Sequence, residues 1–506
     1  MKYCFKIFFI SIWPALSFFA HNSSGSPDLE TLTLYTCILL IFLFSTYFIL
    51  TPILKRHKSE ARLPGVFLPG VILVFTYTPF KLFLSFLGPS TGFAFWITIA
   101  AAVLMVCWYF ASYELYEKIS NIFLIVLTFI PSLNISIYLI KQFNTKPLLG
   151  SNEIYVRSSA LETPNIFYII IDGYPRSDAY TKISGLKNSS FLNHLEKLNF
   201  YVADKSIANY PMTYLSLSSS LNMDYHLKAG DLPPATREPF YNTIQGNNSF
   251  VKFIKDLGYD YFHMGPGIWA GSECKQDPVF CINKNSNQSF LTMNETAQSF
   301  LEVTPILPII KSLNKGPQNI NSVRTIMNWL DLKETESKKP FFLFAHSFPP
   351  HPPYFYNDDC SERHQNEGDF VEWVKSDFLN QIPCINTDII KLVEYLNIND
   401  PKAIIIIQSD HGPGLSKQFD KPSIDDWTQA ELIERYGVFN ALKLPERCQK
   451  SLYPSMSPVN NLRVVKSCVY DSKTGLLNDK SFYTNYEKHP DSKRVIDVTS
   501  RAQSGF

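Results

Sequence analysis

Five long apolar runs crowd the first 145 or so residues and limit what this chain can become. They fall roughly at 5–20, 31–54, 66–87, 93–111 and 122–140. Most approach the ~20 residues a helix needs to cross a hydrocarbon core of ~30 Å. Helices buried in soluble proteins are rarely so apolar on every side. The runs predict a bundle of about five transmembrane helices over residues 1–144. The rest of the chain carries the charges of a soluble domain, so the mean hydropathy of -0.03 averages two different materials.

The connectors set the orientation. Lys2 and Lys6 open the first run, and Lys55, Arg56, Lys58 and Arg62 follow the second. The connectors at 21–30 and 88–92 contain no Lys or Arg. The positive-inside rule puts the N-terminus in the cytoplasm and, after five crossings, everything beyond about Lys141 outside. A cleaved signal peptide over the first run is the alternative. Four spans would then remain, with the same side for the C-terminal part. In the third run, Pro69 and Pro79 are tolerable in a membrane helix. Lys81 near its outer end is expected to snorkel.

The formal net charge is +1, so no nucleic acid partner is expected. Cysteines divide as the hydropathy does. Cys4, Cys37 and Cys107 lie in apolar runs, and six others lie in the polar part. None of the six has the CxxC spacing of a zinc site. Near-neighbour disulfides are expected: Cys274–Cys281, Cys360–Cys384 and Cys448–Cys468. These require an oxidising compartment. Six reduced thiols are the alternative.

After a polar linker at 145–163, the chain alternates strands and helices, which predicts an α/β domain over 164–506 with a mostly parallel central sheet. Its first strand, NIFYIIIDGY at 165–174, ends in Asp172 and Gly173. A second, PFFLFAH at 340–346, ends in His346 and runs into SFPPHPPY, whose prolines stiffen a loop carrying His351. A third, AIIIIQSDHG at 403–412, ends in Asp410, His411 and Gly412. Between them, Pro211 precedes Thr213 at a turn into a helix. A helix start favours an anion and an ionised hydroxyl; a plain N-cap threonine is the alternative. Sites in open α/β sheets form at the carboxyl ends of strands. Asp172, Asp410 and His411 offer O, O and N donors for one divalent cation, with Thr213 completing four-coordination. Zinc suits that mixed set, and manganese or magnesium also fit. In this reading Thr213 is the nucleophile, and His346 and His351 hold substrate oxygens or protonate the leaving group.

These four motifs, in this order over about 164–446, resemble the alkaline phosphatase superfamily in its sulfatase-like branch. With membrane helices in front, the chain resembles the bacterial phosphoethanolamine and phosphoglycerol transferases. The resemblance implies Asp172, Thr213, Asp410 and His411 as metal shell, Thr213 as the residue that carries the headgroup, and His346 and His351 as substrate contacts. It implies a phospholipid donor, an envelope glycan or glycolipid acceptor, and a multi-pass protein of the inner or plasma membrane with its catalytic domain periplasmic or extracellular. Sulfatases proper need Cys or Ser followed by x-Pro-x-Arg, whereas here Thr213-Tyr214-Leu215-Ser216-Leu217 lacks both Pro and Arg. No Asp-x-x-x-His for a second metal is present either. The leading expectation is therefore a transferase acting through phospho-threonine. A phosphate or sulfate ester hydrolase is the alternative, and a non-catalytic envelope protein of the same fold a further one.

Overall fold

The computed structural model describes residues 2–23, 27–57, 59, 62–84, 92–143, 163–232, 236–265, 271, 280–282, 295–313, 322–333, 339–363, 373–470, 474–484 and 494–504. The chain divides into two compact units. One holds Met1–Lys146, Ala235–Arg237 and Ser286–Pro317; the other holds Pro147–Pro234, Glu238–Asn285 and Gln318–Phe506.

In the first unit the apolar runs become helices: α1 Lys2–Asn22, α2 Leu29–Lys55, α3 Leu63–Phe75, α4 Tyr77–Leu84, α5 Gly92–Phe110 and α6 Glu114–Phe143. Within the described residues, Tyr3–Asn22, Leu29–Lys55 and Glu114–Ile140 are each long and apolar enough to cross a membrane. The third run is not one straight helix. It bends by 58° between Phe75 and Tyr77. Pro79 explains the restart: inside a continuous helix its ring would clash with the Phe75 carbonyl, whereas in the first turn of α4 its missing N–H costs nothing. The fourth run is a shorter apolar helix, Phe95–Phe110. Ile7 and Ile10 of α1 pack in one core with Leu43 of α2, Phe67, Leu68 and Val71 of α3 and Leu124 of α6.

The second unit opens with β1 Ile166–Ile171, then α7 Ser177–Ser184, α8 Ser189–Lys197, β2 Tyr201–Val202 and α9 Thr213–Asn222. α10 Glu238–Ile244, α11 Ser249–Asp256, β3 Asp260–Met264 and β4 Phe280–Ile282 follow. The chain next forms α12 Glu295–Glu302 and α13 Ile306–Leu313, which belong to the first unit. It returns with α14 Ser322–Lys333, β5 Phe341–Ser347, α15 Lys375–Asn399, β6 Ile404–Gln408, α16 Gln429–Tyr436, β7 Asn440–Lys443, α17 Glu446–Gln449 and α18 Pro458–Tyr470.

Seven of these strands form one sheet in the order β2-β7-β6-β1-β5-β3-β4. The ladder is parallel from β6 to β4, and β7 runs antiparallel to both β6 and β2. β1 lies in the middle with both faces covered. Ile166, Tyr168 and Ile170 join one core, and Phe167, Ile169 and Ile171 the other. This accounts for its unbroken apolar sequence, since a strand buried on both sides shows no polar alternation. Register then levels the strand ends. Ile171 pairs with Ser347 of β5, and Ile170 with Gln408 of β6. Asp172 and Asp410, each two residues past a paired position, emerge side by side.

The disulfides Cys360–Cys384 and Cys448–Cys468 are formed. Of the remaining expected pair, Cys274 lies outside the described residues.

Candidate active site

Asp172, Asp410 and His411 converge at the carboxyl edge of the sheet. One ligand atom from each lies within 4.8 Å of the other two, and all three residues are buried. His411 Nε2 is 3.2 Å from Asp410 Oδ2 and 3.8 Å from Asp172 Oδ1. The Gly173 backbone N–H donates to the other Asp410 oxygen, Oδ1 (3.2 Å).

Thr213 is the first residue of α9, and Met212 occupies the cap position with no side-chain cap bond. The Thr213 hydroxyl is therefore not spent on capping. It points at His411 Nε2, 2.9 Å away. The other ring nitrogen of His411, Nδ1, lies 2.9 Å from the Gly412 carbonyl. A carbonyl only accepts, so Nδ1 carries the proton and Nε2 presents a lone pair to the threonine.

Two carboxylate oxygens, Asp172 Oδ1 and Asp410 Oδ2, are buried and make no hydrogen bond. Buried, unpaired carboxylate oxygens are costly unless a cation meets them. Together with the His411 lone pair and the Thr213 oxygen, they form a donor set that fits one divalent metal ion. Electrostatics agree. Burial, and then the neighbouring Asp172 charge, push the Asp410 carboxyl up to about 7. Burial also raises Asp172, against the opposing pull of His351 and Arg435. Burial holds the His411 imidazolium well below its ordinary range, helped by Arg435 and His351. Such a pocket disfavours two bare anions and keeps the imidazole neutral, ready to ligate. A second cluster, Cys360, Cys384 and Asp388, carries no metal chemistry because its sulfurs are joined in the disulfide.

His346 lies in β5, as expected, and the strand runs one residue further, to Ser347. Its side chain is fully buried and its Nε2 lies 3.2 Å from Asp172 Oδ2. Burial drives its pKa down to about 4, so the ring is neutral. It lies beside a carboxylate of the cluster and does not meet solvent. His351, in the proline loop, is partly exposed. Its ring lies between Phe348 (4.7 Å between centroids) and Trp373 (4.9 Å).

Three contributors had no sequence signal that singled them out. Arg435, near the end of α16, is buried. Its Nε donates to the Pro211 carbonyl at 2.8 Å, Nη2 donates to the same oxygen, and Nη1 donates to the Gly412 carbonyl at 2.7 Å. One guanidinium thus fastens the turn before Thr213 to the turn after His411. Ser216, one turn along α9, donates to the Asp410 carbonyl at 2.7 Å. Trp373 covers the glycine turns: a Cβ added at Gly173 would come within 2.7 Å of its ring, and one at Gly414 within 3.1 Å. Gly412 is required for a stricter reason, since a Cβ there would lie 1.9 Å from the Glu434 carbonyl oxygen.

Several solved structures are similar. The lipooligosaccharide phosphoethanolamine transferase A of Neisseria meningitidis aligns at 13% identity and a TM-score of 0.42, over 93% of this chain and 96% of that one. The zinc complex of the C-terminal periplasmic domain of EcEptC from Escherichia coli aligns at 14% and 0.39, over 67% and 94%. The putative sulfatase yidJ of Bacteroides fragilis aligns at 13% and 0.38, over 70% and 81%. No curated protein matched the sequence. The family model described as Sulfatase matches residues 164–444, more than half of the chain, and includes each of the four motif segments; the protein belongs to the sulfatase family of enzymes.

Proposed function

We propose that this protein is a membrane-anchored transferase that moves a phosphoryl headgroup, phosphoethanolamine or phosphoglycerol, from a phospholipid to an envelope glycan or glycolipid. Thr213 carries the group between the two. The reading rests above all on the Thr213 hydroxyl, 2.9 Å from a neutral imidazole nitrogen and free of any capping role.

Asp172, Asp410, His411 and Thr213 would hold one divalent ion, most simply zinc given the mixed donor set. When bound, the ion lowers the hydroxyl pKa and offsets charge on a phosphoryl oxygen. The Thr213 hydroxyl gives up its proton as its oxygen attacks phosphorus, the bond from phosphorus to the diacylglycerol oxygen breaks, and that oxygen takes up an equivalent proton. His351, partly exposed beside the site, is proposed to pass that proton on: its Nδ1 is held by the Pro352 carbonyl at 2.6 Å, which leaves Nε2 to take the proton up and hand it over. Hydroxyl attack by the acceptor on phospho-threonine then reverses the sequence. His346 acts behind the site by orienting Asp172.

The apolar helices favour transfer over hydrolysis, because they hold the catalytic unit to the layer that contains the donor. They also support a location in the inner or plasma membrane, with the catalytic unit on the outer side where its disulfides would persist. The missing Pro and Arg after Thr213 speak against formylglycine sulfatase chemistry.

The test is mass spectrometry of the purified full-length protein, loaded with zinc and given phosphatidylethanolamine or phosphatidylglycerol. A headgroup adduct on Thr213 that is discharged by an added glycolipid supports the proposal. An unmodified Thr213 under all conditions overturns it. Free headgroup released into water, with no acceptor product, points to an ester hydrolase.

A further inference from the structure

Residues far downstream of the membrane helices rejoin them. Phe300 of α12 sits among Phe18 of α1, Tyr35 of α2 and Phe75 of α3, with ring centroids 5.4, 5.7 and 5.2 Å away. Leu301 of α12 and Leu307 of α13 share a core with Leu32, and Ala15, Phe19 and Ile310 pack against it. Thr78 donates from its backbone N–H to the Val303 carbonyl (3.3 Å), and from its hydroxyl to the Glu302 carbonyl (2.5 Å). The Asp28 N–H donates to the Thr296 hydroxyl (2.9 Å).

Every partner on the helix side belongs to one end of the bundle: the end of α1, the start of α2, or the junction of α3 and α4. The basic connectors assign that end to the outer face of the membrane. α13 therefore lies where hydrocarbon gives way to headgroups.

α13 is apolar on both sides. Leu307 and Ile310 face the core just described, while Ile306 and Ile309, one turn apart, are 42% and 53% exposed. α4, which leaves α3 at the 58° bend on the same side of the bundle, exposes Leu82 and Phe83 by 68% and 69%. In water, paired aliphatic side chains of this kind cost roughly 25 cal/mol per Å² of apolar surface. At the edge of a bilayer the same surface is covered.

We propose that α13 is an interfacial helix whose Ile306 and Ile309 enter the outer leaflet, with phospholipid as the occupant of that face. The packing of α12 and α13 on the outward ends of α1 and α2 and on the α3–α4 junction carries the assignment. It rests on the membrane-spanning reading and stands whether or not the transferase chemistry does. Its consequence is a second attachment: α12 and α13 pin the middle of the chain to the bilayer, between sequence segments that belong to the catalytic unit.

Depth-resolved fluorescence tests this without any assay of catalysis. Full-length Ile309→Cys and, separately, Ile306→Cys are made in a background with Cys4, Cys37 and Cys107 changed to Ser. Each is labelled with an NBD fluorophore and reconstituted into phosphatidylcholine–phosphatidylglycerol vesicles, and signal from the unmutated background is subtracted. Ile398→Cys, on a residue of the catalytic unit that is 77% exposed, is the aqueous control. We expect aqueous iodide to quench probes at 306 and 309 about fivefold less than at 398, and lipids with a nitroxide near the headgroup to quench them strongly. Iodide quenching equal to that at 398 overturns the proposal. So does stronger quenching by nitroxides deep in the acyl chains, which would mean a buried span. Two probe sites keep the test decisive if one label disturbs folding.

Discussion

Asp172 and Asp410 stand level on neighbouring parallel strands, each two residues beyond the Ile170–Gln408 pair, and each leaves one buried oxygen without a hydrogen bond. This pairing of two acids in a dry place costs the metal-free protein stability, and the cost depends on pH. The folded Asp410 titrates near 7, far above an unfolded aspartate. The folded state therefore binds a proton that the unfolded state has released, and stability of the chelated protein falls as pH rises from about 4 to about 7. At ~1.4 kcal/mol per pKa unit, the loss amounts to several kcal/mol. Thermal unfolding of the chelated protein across that range should record it. Asp410→Asn should flatten the slope, stabilise the metal-free protein at pH 8 and weaken zinc binding.

Replacing Thr213 separates chemistry from assembly. Thr213→Ala should abolish the covalent adduct and cut turnover by roughly 10³-fold or more, while zinc affinity falls much less. Thr213→Ser, which keeps the hydroxyl, should retain measurable adduct. Intact-mass spectra and zinc titration of both variants check this; a Thr213→Ala protein with wild-type turnover would remove the threonine from the mechanism.

Arg435 joins two segments that are distant in sequence. Its loss leaves the buried carbonyls of Pro211 and Gly412 without their donor, so Arg435→Ala should destabilise the domain by about 3–5 kcal/mol. Zinc affinity should fall as well, because the ligand-bearing turns lose their tie and the acids lose a nearby positive charge. Arg435→Lys should rescue little, since one ammonium cannot serve both carbonyls as a planar fork does. Denaturant unfolding and zinc titration measure the two effects.

Gly412→Ala should yield no folded protein, since the added methyl would stand 1.9 Å from a backbone oxygen. Gly185→Ala is a fair comparison: nothing surrounds that position within 4 Å, although its φ of +76° makes alanine mildly unfavourable. Yield and circular dichroism of the two variants should differ sharply.

Reduction should weaken the catalytic unit. The bonds Cys360–Cys384 and Cys448–Cys468 close loops of 24 and 20 residues. Each should contribute about 3 kcal/mol by restricting the unfolded chain. A drop in melting temperature with reductant, reproduced by replacing each pair with alanine, checks the figure.

The strand ends were readable because each carries its chemistry next to the apolar run that places it. Asp172, Asp410 and His411 follow stretches that can scarcely be anything but buried strands, and Thr213 follows a proline at a helix start. The end of β5 was legible to within one residue: the strand runs to Ser347, just past His346, because an apolar run does not mark its own exact end. Arg435 was invisible for a different reason. In the sequence QAELIERY it looks like one more charge on an exposed face, and only the return of α16 beneath Gly412 buries it. Trp373 and the docking of α12 likewise depend on contacts between distant segments, which periodicity does not encode. The bend at Thr76 was closer to legible, since Pro79 was present to cause it.

The position of β1 has a consequence for how the protein is made. It is the first strand of its unit to be synthesised, yet it occupies the centre of the sheet, where Ile166 pairs with Phe342 on one side and Ile404 on the other. Six consecutive apolar residues must wait for most of the remaining chain before either edge is covered. Long-range parallel pairing of this kind closes slowly and leaves a sticky edge open meanwhile. A nascent catalytic unit of this design keeps β1 uncovered until β5 and β6 have emerged, and a stalled or truncated product would aggregate through β1 first.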